Sequence, residues 1–142
     1  MTIEKMKKED IPELVELYKQ LTDCENTVEQ SQAVFDKMSA DGNYWLLVAK
    51  EDDEIVGSVL GIICYSIPLC ATPFMVVEDV IVNDSHRRKG IGKILFEKLD
   101  EIAVENNCGY SILVSSGFRK GAHVFYENQG YTEAVKGFRK RY

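Results

Sequence analysis

Val80-Ile81-Val82-Asn83-Asp84-Ser85-His86-Arg87-Arg88-Lys89-Gly90-Ile91-Gly92-Lys93-Ile94-Leu95 is the stretch on which the fold turns. It begins in a β-branched run, Phe74 to Val82, which reads as a strand, and crosses a polar, basic loop, Asn83 to Lys89. From Gly90 to Asn106 the residues Ile91, Ile94, Leu95, Leu99, Ile102 and Ala103 recur at helical spacing, and Asn107 and Gly109 mark a stop. Arg87, Arg88 and Lys89 thus stand just before a helix start. A helix N-terminus carries a partial positive charge, so each cation there costs roughly a few tenths of a kcal/mol. The arrangement becomes favourable when an anion sits in front of the helix, where backbone N–H groups, dipole and basic side chains converge. Gly90 and Gly92 would let the backbone approach such an anion without a Cβ in the way.

Two familiar phosphate loops do not fit. A triphosphate-binding loop needs Ser or Thr after Gly-Lys to hold Mg²⁺, and Gly92-Lys93 is followed by Ile94. A dinucleotide fingerprint needs a third glycine, where Leu95 stands, and should follow the first strand of a βαβ unit.

Working outward, Thr2 to Met6 reads as a first strand. Ile11, Leu14, Val15, Leu17, Tyr18 and Leu21 mark a helix with Asp10 as N-cap and Pro12 in its first turn. Val28 to Met38 reads as a second helix after the polar, acidic link Thr22 to Thr27. Tyr44 to Ala49 and Ile55 to Cys64 form a hairpin around Glu51-Asp52-Asp53-Glu54, an ordinary solvated tip. Tyr110 to Val114 reads as a strand, Arg119 to Asn128 as a short helix, and Tyr131 to Arg139 as one or two final strands. The order β-α-α-β-β-β-α-β-α-β describes one mixed α/β domain over residues 1–142, with helices covering a sheet.

Composition narrows the classes of function. With 142 residues, 45% hydrophobic and 28% charged, the chain has the make-up of a globular domain. A formal charge of -6 argues against nucleic-acid or acidic-membrane binding. Cys24, Cys64, Cys70 and Cys108 show neither CxxC spacing nor nearby histidines, so neither metal nor disulfide framework is expected. Met1 to Glu13 lacks the apolar run of a signal peptide. The apolar stretch Ile55 to Cys70 is interrupted by Gly57, Ser58, Gly61 and Pro68, which suits a buried strand and turn better than a membrane span. A cytoplasmic protein is the expectation.

A β-branched strand, then Arg-x-x-Gly-x-Gly opening a long amphipathic helix, resembles the acetyl-CoA signature of the GNAT family of N-acetyltransferases. Ala122-His123-Val124-Phe125-Tyr126-Glu127-Asn128-Gln129-Gly130-Tyr131 resembles that family's downstream motif, Ala-x-x-Phe-Tyr followed by Gly-Phe/Tyr. The resemblance follows the whole chain in element order, with residue matches concentrated between Glu78 and Tyr131. It implies the acyl-CoA N-acyltransferase fold, a mostly antiparallel twisted sheet flanked by helices, with acetyl-CoA as co-substrate and no metal.

Carried over by position, Arg87, Arg88, Lys89, Gly90, Ile91, Gly92 and Lys93 would bind the CoA pyrophosphate. Backbone groups of the strand at Val80, Ile81 and Val82 would meet the pantetheine arm and the acetyl carbonyl. Tyr126 matches the family's usual general acid, and a phenol is a suitable donor to a departing thiolate. Glu78 is the candidate base, since an attacking ammonium must first lose a proton. Glu78 should share a face with Val80 and Val82 if no bulge intervenes, while Asp79 would be a carboxylate paired with a basic side chain. His86 reads as a loop residue or weak phosphate contact, and His123 as structural.

The resemblance therefore implies direct transfer of an acetyl group from acetyl-CoA to a primary amine, of a small molecule in the first instance. Protein or peptide acetylation and a non-catalytic acyl-CoA-binding module are the alternatives. The acceptor would lie near Tyr18, Asp23, Glu25 and Glu29 and near Tyr65, Ser66 and Pro68. That acidic rim suits a cation, whereas the tail Gly137-Phe138-Arg139-Lys140-Arg141 would suit an anion. A homodimer is an expectation drawn from the family alone.

Overall fold

The computed structural model describes residues 1–68 and 70–142; Leu69, within the apolar stretch Ile55 to Cys70, lies outside the described residues. Five strands, β1 (Thr2–Lys5), β2 (Tyr44–Glu51), β3 (Glu54–Cys64), β4 (Phe74–Val82) and β5 (Ser111–Leu113), lie side by side in chain order. Neighbours are antiparallel except β4 and β5, which are parallel. A parallel pair needs a crossover, and it is supplied by α3 (Ile91–Glu105). The remaining helices are α1 (Ile11–Tyr18), α2 (Val28–Ala40) and α4 (Lys120–Asn128). Among the described residues no helix is long and apolar enough to cross a membrane.

Alternation along the strands divides the interior in two. Leu47, Ala49, Val56, Val59, Met75 and Val77 face α3, whose Ile91, Leu95, Phe96, Leu99 and Ile102 complete that core. Leu46, Val48, Ile55, Leu60 and Ile81 face the other way, onto Ile11, Leu14 and Leu17 of α1. Each such side chain contributes about 1.5–3 kcal/mol on full burial. Two glycines of β3 let α3 lie close: a Cβ at Gly61 would stand 2.8 Å from Leu99, and one at Gly57 3.1 Å from Ile91. They are spaces for a helix rather than turn signals. The hairpin between β2 and β3 turns on Asp52 and Asp53, both at positive φ (51° and 68°), as a two-residue primed turn requires.

Asp10 occupies the N-cap position of α1, but its side chain does not cap. Its carboxylate instead binds Lys50 Nζ at 2.6 Å, and that ammonium also meets Glu4 at 3.0 Å. The ammonium holds Glu4 below the usual carboxylate range. At Asp10 the cost of burial is outweighed by hydrogen bonds from Lys50 and the Lys7 N–H, and the net shift is also downward. A half-buried cation forty residues away outcompetes an exposed helix end. α2 is capped by Thr27, which exchanges hydrogen bonds of 3.2 Å with Gln30.

Two expectations require correction. In β4 the ladder to β3 runs Leu60 to Glu78 and Ser58 to Ile81, so Asp79 and Val80 together oppose Val59. This is a β-bulge, with Asp79 in the left-handed region at φ 52°. The extra residue shifts the alternation: Val77, Val80 and Val82 all turn toward the α3 core and Ile81 toward α1. Glu78, next to Val77, therefore falls on the face opposite Val80 and Val82, contrary to simple alternation.

The final strands expected over Tyr131 to Arg139 do not form. After Tyr131 the chain is exposed, with Val135 and Phe138 in solvent. It is separated from β5 by a cleft of about 980 Å³ between β5, α4 and residues 131–135. A three-residue edge strand offers too short a ladder to hold it.

Candidate functional site

The bulge sits where β4 and β5 part. Their ladder covers only Met75–Val77 against Ser111–Leu113, so Glu78 to Val82 have no strand partner on that side among the described residues. This open edge carries the expected positions Val80, Ile81 and Val82. Val80 and Val82 are half-buried against the α3 core and Ile81 is buried on the other face.

From Val82 the chain makes a short 3-10 turn, Asp84–His86, and reaches the basic loop. Arg87 braces this turn rather than standing free: its guanidinium meets Asp84 at 2.6 Å and its Nε donates to the Val82 carbonyl at 3.3 Å. Arg88 (φ 64°) and Gly90 (φ 86°) are both left-handed and turn the chain into α3. The first helical bond runs from Ile94 N–H to Gly90 C=O, 3.2 Å, so the N–H groups of Ile91, Gly92 and Lys93 precede it and face outward. No acidic residue lies in the first turn. Arg88 and Lys89 are exposed and have no ion pair among the described residues; Lys93 reaches Glu97 at 3.5 Å.

The two glycines have different reasons. Gly90 supplies the positive φ. A Cβ at Gly92 would stand 3.0 Å from the Phe125 ring, so that glycine admits α4 against α3. His86 is not turned toward an anion: its Nδ1 shares a 2.8 Å hydrogen bond with Ser85 Oγ, and Nε2 lies 3.3 Å from Glu51 on the β2–β3 hairpin. His123 Nε2 is 3.0 Å from the Ser116 carbonyl, a structural tie across the start of α4.

α4 presents Phe125 and Tyr126 to the α3 core. Phe125 meets Phe96 edge-to-face at 5.3 Å, and Tyr126 lies 5.9 Å from Phe96 and 6.4 Å from Tyr131. The Tyr126 hydroxyl makes no hydrogen bond with a described residue. Burial raises its pKa; Arg119 opposes that and the charge of Glu78 adds to it. Glu78 is raised in turn, by desolvation first and by the neighbouring Asp79 next, while Arg139 of the tail lowers it. Tyr126, Glu78, Asp79, Arg119 and Arg139 thus form one electrostatic neighbourhood at the parted end of the sheet. The result is an acid that keeps its proton at neutral pH beside a carboxylate more basic than usual.

The large cleft beside β5 includes Tyr126 but none of residues 87–93. It is the gap left by the unpaired tail, and the anion-binding features lie elsewhere.

Sequence reasoning missed three participants. Arg119 and Arg139 belong to segments with no motif of their own. Asp79 was expected to pair with a base, yet it has no ion pair among the described residues, and burial raises its pKa. Two adjacent acids inside an apolar strand were the available signal. No group of acidic, histidine or cysteine side chains able to hold a metal occurs among the described residues.

Residues 11–131 match the model of the acetyltransferase (GNAT) family, and the chain belongs to that family. A Drosophila melanogaster protein described as a probable glucosamine 6-phosphate N-acetyltransferase is 32% identical over 128 residues. The match covers 87% of this chain, which spans only 56% of that relative. Among solved structures, a protein of Agrobacterium tumefaciens str. C58 assigned as an acetyltransferase superposes with a TM-score of 0.93 at 28% identity, covering 100% of both chains. Glucosamine-6-phosphate N-acetyltransferase from Arabidopsis thaliana superposes with a TM-score of 0.90 at 25% identity, covering 99% of this chain and 97% of the other.

Proposed function

We propose that this chain transfers the acetyl group of acetyl-CoA to a primary amine of a small molecule, directly and in a ternary complex. The observation that carries the reading is the parted edge of β4 at its bulge, flanked by the cationic start of α3 and by Tyr126. The N–H groups of Ile91, Gly92 and Lys93, with Arg88 and Lys89, suit the pyrophosphate of the donor. The free edge from Val80 to Val82 suits its pantetheine arm, and an N–H at the bulge suits the oxyanion of the tetrahedral intermediate. Glu78 takes the proton that the acceptor ammonium must lose, directly or through water. The amine nitrogen bonds to the acetyl carbon, the C–S bond breaks, and Tyr126 gives its proton to the thiolate sulfur.

Saturating acetyl-CoA should raise the melting temperature, since a ligand at a hundredfold its Kd stabilises the native state by about 2.7 kcal/mol. Release of free thiol should then depend on an added amine. No shift at saturating acetyl-CoA defeats the reading; a shift without turnover on a broad amine panel points to a binding module. The names of the Drosophila and Arabidopsis relatives favour an amino-sugar phosphate as acceptor, the reading against which the next section is set.

A further inference from the structure

Resting on the acetyltransferase reading, a groove on the opposite face of the sheet bears on the acceptor. It lies between α1 and α2, holds about 220 Å³, and is walled by Ile11, Leu14, Val15, Val34 and Phe35, with Asp79 at its β4 end. Neither lysine nor arginine lines it among the described residues. The bulge is what brings Asp79 there: an extra residue at φ 52° escapes the two-face alternation of the strand. Its carboxylate is unpaired at the inner end of an otherwise apolar channel, one residue from Glu78. Near the same face the Tyr18 hydroxyl is 3.5 Å from Ser58 Oγ, and burial raises its pKa, so it stays a neutral donor.

We infer that this groove is the acceptor site and that its ligand is a short primary amine with an apolar body, its ammonium held by Asp79. Charge complementarity fixes the head: an unpaired carboxylate in a partly desolvated place is satisfied by a cation with hydrogen-bond donors. The walls fix the tail, because an apolar surface gains from burying methylenes and loses on burying unpaired hydroxyls. The space equals roughly seven water volumes at about 30 Å³ each, which suits an amine the size of hexylamine or benzylamine. A sugar phosphate would leave its hydroxyls against Leu14, Val34 and Phe35 and find no cation for the phosphate. An amine nitrogen held at Asp79 also stands beside Glu78, the group that must take its proton.

The test is a homologous series of n-alkylamines from propyl to hexyl, with benzylamine and glucosamine 6-phosphate, assayed by thiol release on the full chain and on Asp79→Asn. Asparagine tolerates the left-handed conformation, so this variant removes the charge and keeps the bulge. KM should fall about fourfold per added methylene until the groove is full. Asp79→Asn should raise KM about tenfold or more for every amine, with kcat and the acetyl-CoA thermal shift changed far less. A flat series with turnover of glucosamine 6-phosphate overturns the assignment, as does an Asp79→Asn effect equal on acetyl-CoA and amine, which would make Asp79 a support of the bulge. Amine binding is also read directly, by thermal shift with and without CoA. Hexylamine binding that Asp79→Asn abolishes upholds the groove even if acetyl-CoA fails to bind, and no hexylamine binding in either condition overturns it.

Discussion

Chemistry at single residues depends here on two proton-bearing groups displaced in the same direction. Burial raises both Tyr126 and Glu78, but the consequences differ because one must give a proton and the other must take one. Tyr126→Phe should lower kcat by about a hundredfold or more while leaving the acetyl-CoA thermal shift intact; unchanged turnover would remove Tyr126 from the acid role. A base works only when ionised, so activity should fall as pH drops through the raised pKa of Glu78. The acidic limb of kcat/KM should then lie above the ordinary carboxylate range, and Glu78→Gln should flatten it. A profile level down to pH 4 would exclude Glu78 as the base.

Among the elements, β4 and α3 were the most legible from sequence and the least complete. The β-branched run and the 3.6-residue period gave both spans, because each is a local regularity. The bulge between Glu78 and Val80 was not legible, since alternation is the rule a bulge breaks and the residue that breaks it is an ordinary aspartate. Gly92 was legible as a glycine but not as to cause, because Phe125, which needs the space, lies 33 residues on. Gly92→Ala should destabilise the protein by about 1–3 kcal/mol through overpacking against Phe125. Phe125→Leu should return part of that loss in a double-mutant cycle, so additive effects in chemical denaturation would refute the contact as the cause. The final strands misled for the converse reason: local pattern suggested pairing, and only the three-residue length of β5 decides that there is nothing to pair with.

On the scale of the whole molecule the exposed tail reaches back to the site. Arg139 lowers the pKa of Glu78, across an exposed and hence screened distance. Removing that charge with Arg139→Ala should move the acidic limb of the pH–rate profile upward, and 1 M salt should reproduce the move in the unaltered chain and abolish the difference between the two. An Arg139→Ala profile that superposes on the original at low salt would show that the tail is electrostatically silent.

The sheet keeps two separate cores apart, one against α3 and α4 and one against α1 and α2. Substitutions in packed regions that share no partners have additive effects on stability. The wall that holds the thioester and the wall that receives its acetyl group can therefore change at different rates. A lineage that exchanges one nitrogenous partner for another need only rework Val34, Phe35 and their neighbours, inheriting the older half unaltered.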